Sequence, residues 1–274
     1  MVTNSPPTPP TPPGPSAVPS TPSPRVEDPR LTAILAGTRR RLLDDLSDVG
    51  AAFPLVLAGE YAVRFHGLAR GPGRRAERHL GSGPDLACAT DTQTPMADVL
   101  ATVRTGLEAR GWRVRDAAAE PLAARFVGTD SLGGEECEVE IAKETLWRPP
   151  VRVGTVRILA VEDVVGTKVR DLADRGLARD LVDVHAASDR WSRVELEELG
   201  RRHTRDSFDL ADLKARLEGL DWFGDAEFGA CGLDEEGMEA VRRWAQFWAD
   251  DIGERLAEEA PYEEVPYEEE PAEE

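Results

Sequence analysis

The chain has 274 residues, 33 Lys and Arg against 52 Asp and Glu, 21 Pro and 3 Cys. That length buries a real core, and the absence of any apolar run near ~18–20 residues excludes a membrane-spanning helix from the expectations. Net charge is −19, and nine Glu without a Lys or Arg lie in residues 257–274 alone. Since 1–24 is uncharged, 25–256 carries −10, so nucleic acid would have to be met through a local basic patch rather than by bulk attraction. Cys88, Cys137 and Cys231 are odd in number and widely spaced, which argues for buried free thiols over a disulfide scaffold. With no basic and apolar leader at the start, a reducing cytoplasm is the expected compartment.

Residues 1–24 hold ten prolines among Ser, Thr and Gly, a composition that stays extended and solvated. Tails are expected at 1–29 and, because its glutamates repel one another, at 257–274. Folding should begin near Asp28, where Leu31, Ile34, Leu35, Leu42, Leu43, Leu46 and Val49 recur at helical spacing with Arg39, Arg40 and Arg41 facing solvent. Phe53–Ala58 reads as a short buried strand, and Gly59 as the turn into a helix, Glu60–Phe65, closed by Gly67. A Gly/Arg-rich loop, 67–84, follows. Its Arg70, Arg74, Arg75 and Arg78 form a dense basic stretch, solvated by default and able to meet RNA phosphates.

Asp85–Thr90 is the next expected strand and Pro95–Arg110 a helix ended by Gly111. Strands are then expected at Trp112–Arg115, Leu122–Val127, Glu136–Ala142 and Val156–Leu159. In the third of these, Cys137, Val139 and Ile141 share one face and Glu136, Glu138 and Glu140 the other. From Val161 the pattern is helical to about Ala257. The fold class is therefore α/β or α+β, with an α/β domain over 30–160 and a helical domain over 161–256.

Several residues could carry chemistry. Gly59 opens a helix whose unpaired amides suit a phosphate. Asp85 begins a strand, and Glu138 with Glu140 lies on one face of another. Carboxylates gathered from neighbouring strands can hold Mg²⁺ against a triphosphate, although alternating Glu on a strand is commonly just its wet face. On the helical segment 161–187, Lys168 lies four residues beyond Val164, so its stem can follow the apolar stripe while the ammonium reaches outward. Asp180 and Asp183 share a helix face; a salt-bridged helix surface is the plainer account of all three. His66 and His185 read as packed or capping, His79 and His203 as exposed. Trp244, Phe247 and Trp248 fall at core-stripe spacing. No CxxC or HxxxH spacing predicts zinc, and no DNA-binding motif is present.

Five strings carry a further likeness: LAGEYAVRFHG (57–67), PDLACAT (84–90), GEECEVEIAKE (134–144), VEDVVGTKVRDLADRGLARDLVDVHAA (161–187) and GLDEE (232–236). In order and spacing, from about Leu42 to Asp251, the chain resembles the AbiEii/AbiGii-type nucleotidyltransferases, an abortive-infection toxin-like family. The resemblance implies a minimal nucleotidyltransferase fold, a mixed sheet flanked by helices, followed by a helical domain. It also implies transfer of a nucleotide from an NTP with Mg²⁺ to an RNA such as the acceptor end of tRNA, or to a protein, and an antitoxin as partner. By the same resemblance Gly59 takes the first position of the phosphate motif, Asp85 and Glu140 hold metal, and Lys168 contacts the triphosphate. Asp180 and Asp183 form the acidic helical motif, orienting the acceptor or acting as base.

Two positions depart from the pattern. Glu60 stands where a second small residue belongs, placing a negative charge at the phosphate site. Ala87 replaces the second metal-binding Asp, and Asp91, four strand residues away at roughly 13 Å, is too far to substitute. These departures set a second expectation beside the first: a catalytically degenerate member that keeps the fold as a binding or regulatory module.

Overall fold

The computed structural model describes residues 28–68 and 84–259. The Pro-rich residues up to 27, the basic loop with Arg70, Arg74, Arg75, Arg78 and His79, and the acidic residues from 260 lie outside the described residues. The first helical segment is two helices, α1 (Pro29–Ile34) and α2 (Gly37–Val49). The break falls at Leu35, extended at φ −138°, and Leu31 and Leu35 are both buried. Asp28 caps α1 by accepting the Arg30 amide at 2.8 Å.

A mixed sheet follows, made from β1 (Val56–Leu57), β2 (Leu86–Thr90), β3 (Trp112–Ala119), β4 (Ala123–Asp130), β5 (Glu136–Lys143), β6 (Val151–Val153) and β7 (Val156–Ile158). Their order is β3-β4-β5-β2-β1-β7-β6. β1 pairs antiparallel with β2 and parallel with β7, while β2 runs parallel to β5. Helices α3 (Gly59–Phe65) and α4 (Met96–Glu108) lie between strands in the chain. The expected architecture, a mixed sheet flanked by helices and followed by helices, is the one observed.

Local differences have physical reasons. β1 is shorter than expected because Pro54 offers no amide to a ladder. β3 runs four residues beyond Arg115, past an irregularity in its pairing with β4 where Asp116 adopts φ 50°. Sequence reading missed β6: Gly-Thr between Val153 and Val156 is a two-residue hairpin signal, and Gly154 has φ +60°.

The helices after the sheet are α5 (Val161–Arg175), α6 (Ala178–Ala187), α7 (Arg193–His203), α8 (Leu210–Glu218), α9 (Asp225–Ala230) and α10 (Glu235–Glu259). α10 extends two residues past the expected helical limit. Among the described residues no helix is long and apolar enough to cross a membrane. Of the expected aromatic stripe, Trp248 is fully buried and Trp244 packs on the core, but Phe247 is 55% exposed. Its position lies outside the arc that α10 presents to the other helices.

His203 is buried, contrary to expectation. It closes α7 against α5, its Nε2 3.3 Å from Asp163 Oδ1. Gly166 makes that approach feasible, since a Cβ there would stand 2.6 Å from the Leu199 carbonyl oxygen and also meet the His203 ring. Gly166→Ala should therefore destabilise the chain by roughly 1–3 kcal/mol in urea unfolding, although alanine has the better helix propensity. Unchanged or increased stability would show that α5 and α7 can part without cost.

Candidate active site

The parallel pairing of β2 and β5 matches Ala87 with Glu140. Side chains two apart on a strand share a face, so Asp85, Ala87, Glu138 and Glu140 lie on one side of the sheet. The β1–α3 turn sits directly on this face. The Ala58 amide donates to the Ala87 carbonyl at 2.9 Å, and Gly59 has φ +60°. A Cβ at Gly59 would stand 2.8 Å from the Ala87 Cβ. Glycine is thus required both for its backbone conformation and for the closeness of the turn to β2.

Both oxygens of Asp85 are engaged. Oδ1 accepts from the Arg39 guanidinium at 2.9 Å and Oδ2 from the Glu138 backbone amide at 3.0 Å. Arg39 also lies 3.7 Å from Glu135, and its hydrogen bond to Asp85 holds the guanidinium pKa above its ordinary value. Tyr61 is close enough to feel Arg39, and burial raises its phenol pKa. Glu140 Oε2 accepts from Arg125 Nε at 3.3 Å, a more exposed pair and the weaker of the two.

The expectation that Arg39, Arg40 and Arg41 face solvent is therefore corrected. Arg39 holds Asp85, Arg40 pairs with Asp44, and Arg41 with Asp130 at 2.8 Å. Successive residues on a helix point about 100° apart, so three in a row cannot all face outward from a packed helix.

This donor set differs from the metal-binding set that the resemblance implies. Each oxygen of Asp85 already accepts one hydrogen bond, Ala87 has no ligand atom, and Glu140 carries an arginine. Among the described residues no group of three or more His, Cys, Asp or Glu is placed to hold a metal ion.

Lys168 does not reach outward. Its Nζ lies 2.7 Å from Asp183 and 3.6 Å from Asp180. Arg175 clamps Asp180 through two hydrogen bonds, at 2.7 and 3.0 Å, and Asp180 is fully buried. Burial works against the Lys168 charge, yet Asp183 and Asp180 hold its pKa above the ordinary value. Burial also pushes the Asp183 carboxyl up despite the adjacent ammonium, and the negative charges of Asp180 and Glu60 push the same way. Glu60 thus lies near this cluster, while its own ion pair is with Arg64, one turn along α3. The structure gives two ionic groups beside the first turn of α3: Asp85 and Glu140 on the sheet, and Lys168 with Asp180 and Asp183 on α5 and α6.

Of the two histidines expected to pack or cap, His66 has a ring nitrogen 2.7 Å from the Leu159 carbonyl, and His185 is buried with its ring 5.2 Å from that of Trp244. Both pack as expected. Arg39, Arg125 and Arg175 were the residues missed; their pairing depends on strand register and helix docking, which no local pattern carries.

Replacing Lys168 with Met should cost roughly 3 kcal/mol at neutral pH by leaving the half-buried Asp183 carboxylate without its cation, while Asp180 keeps Arg175. Asp183 already binds its proton more tightly folded than unfolded, and losing Lys168 increases that difference. Folded protein then binds more protons than unfolded, so the variant's stability falls as pH rises. The deficit should shrink as pH is lowered from 7 toward about 5, as read by urea unfolding; a deficit that stays constant would refute the assignment.

No family model matches the chain, and no curated protein matches it. Among solved structures, JHP933 from Helicobacter pylori is similar at 18% identity and TM-score 0.45, over 80% of this chain and 94% of that one. A putative nucleotidyltransferase from H. pylori aligns at 17% identity and TM-score 0.43, over 81% and 96%. MenT4, a nucleotidyltransferase toxin from Mycobacterium tuberculosis H37Rv, aligns at 16% identity and TM-score 0.37, over 76% and 90%.

Proposed function

We propose that this chain is a nucleotidyltransferase-type protein of the abortive-infection toxin kind whose metal face has been converted to ion pairs, leaving a binding or regulatory module. The observation that supports this most is Ala87 opposite Glu140, with Asp85 and Glu140 each held by an arginine. Two-metal phosphoryl transfer relies on carboxylates free to neutralise two cations. Here one carboxylate is missing, and of those remaining Asp85 is engaged by Arg39 and a backbone amide. Glu60 adds negative charge where a triphosphate would lie.

A second reading, nucleotide transfer from Mg-NTP to an RNA such as tRNA or to a protein, draws on Asp85 and Glu140 sharing one face. In that reading they hold Mg²⁺, which supplies charge neutralisation for phosphoryl transfer. Gly59 and Lys168 hold the triphosphate, and Asp180 or Asp183 orients the acceptor or takes its proton. An antitoxin is the partner this reading calls for.

Binding of labelled ATP, CTP, GTP and UTP with Mg²⁺ separates the two. The natural chain should show no micromolar binding, while the double variant Ala87→Asp/Glu60→Gly should gain it. Micromolar binding by the natural chain, abolished by Asp85→Ala, would favour transfer instead.

A further inference from the structure

In a chain this acidic, cations without an acidic partner stand out. The ammonium of Lys143 and the guanidinium of Arg148 form no ion pair with any described residue; Lys143 is half-buried and Arg148 exposed. Between them Trp147 is 53% exposed, held by its indole N–H donating to the Arg202 carbonyl at 2.8 Å. Arg205 donates to the Lys143 carbonyl at 3.4 Å. The segment after β5 and the end of α7 therefore meet in one patch of Lys143, Trp147, Arg148, Arg202 and Arg205. Of its acidic neighbours, Glu144 is engaged with Arg170 and Arg205, and Glu198 with Arg201 and Arg202; Asp206, exposed beside Arg205, lowers the patch's charge by one.

The path of α10 leads toward this patch. Arg193, at the start of α7, donates to the Phe247 carbonyl at 3.0 Å. One turn later Glu197 accepts from Trp248 at 2.8 Å and from Arg255 at 2.6 Å. α10 thus advances in the same sense as α7, and its last turn heads for the α7 end that carries Arg202 and is followed by Arg205. The chain continues for fifteen residues, APYEEVPYEEEPAEE, with seven Glu and no Lys or Arg. Fully extended, fifteen residues reach about 50 Å, so length is no obstacle.

We propose that residues 260–274 dock on this basic patch of the same chain, their glutamates meeting Lys143, Arg148 and Arg205 and a tyrosine or proline lying on Trp147. The tether supplies an effective concentration of order millimolar, so weak contacts suffice, and the docked tail withholds the patch from other polyanions. Charge complementarity of this kind is screened by salt. The proposal is independent of the reading of the sheet face, because neither NTP nor metal enters it.

A carbodiimide that joins amines to carboxylates tests it on the full chain. Of the lysines, Lys168 is enclosed by Asp180 and Asp183, and Lys214 is paired with Glu218. Mass spectrometry of the monomer fraction should find Lys143 joined to Glu263, Glu264 or Glu268–Glu270 at low salt, with the yield falling severalfold at high salt. A full-length variant with those five glutamates changed to Gln should bind a single-stranded oligouridine roughly tenfold more tightly than the natural chain. Trp147→Ala should narrow that difference, and Trp147→Phe should restore it. Cross-links confined to a dimer, tail links to Lys214 as frequent as to Lys143, or equal oligonucleotide affinity in natural and Gln-tail chains would each overturn the proposal.

Discussion

Once two residues of a parallel ladder are matched, every other pair along it is set, and between β2 and β5 that match puts Ala87 beside Glu140. Asp85 then falls level with Glu138, whose amide it accepts, and its side chain points to the face crossed by Arg39. The β1–α3 turn is drawn onto the same face by the Ala58–Ala87 hydrogen bond, at a separation only glycine permits at position 59. A site of this shape collects whatever charges its strands carry. Two carboxylates and two arginines settle into ion pairs where three carboxylates would repel one another until a cation arrived.

The second ionic group obeys a similar constraint at greater depth. Burying Asp180 without compensation would be prohibitive, and it is compensated twice, by Arg175 and by Lys168. Lys168 is shared with Asp183, which Glu60 approaches from α3. Charges that would otherwise be available to a triphosphate are thereby committed within the protein. The same network joins α5 to α6, so it contributes to packing as well as to any chemistry at α3.

Much of this was legible in the sequence because it depends on local pattern. The alternation of Cys137, Val139 and Ile141 with Glu136, Glu138 and Glu140 placed Glu140 on the correct face, and Gly59 marked the turn. Asp85 is marked by its place at the start of a strand. What stayed hidden depends on contacts between distant segments. Arg39 reaches Asp85 across 46 residues, and nothing near Arg39 marks it as different from Arg40. His203 looked exposed at the end of a charged helix, yet the room made by Gly166 on another helix draws it inside. Phe247 has the spacing of a core residue, but α10 exposes it, because periodicity gives a stripe without saying how wide an arc the neighbours cover.

The most direct test of the central claim, that the sheet face is closed by its own arginines, is Mn²⁺ binding followed by the loss of its free-ion spin-resonance signal. The account predicts no site tighter than about millimolar in the natural chain, and appearance of one in Ala87→Asp/Arg39→Ser. A micromolar site in the natural chain, removed by Asp85→Asn, would contradict it and restore a working metal centre to this face.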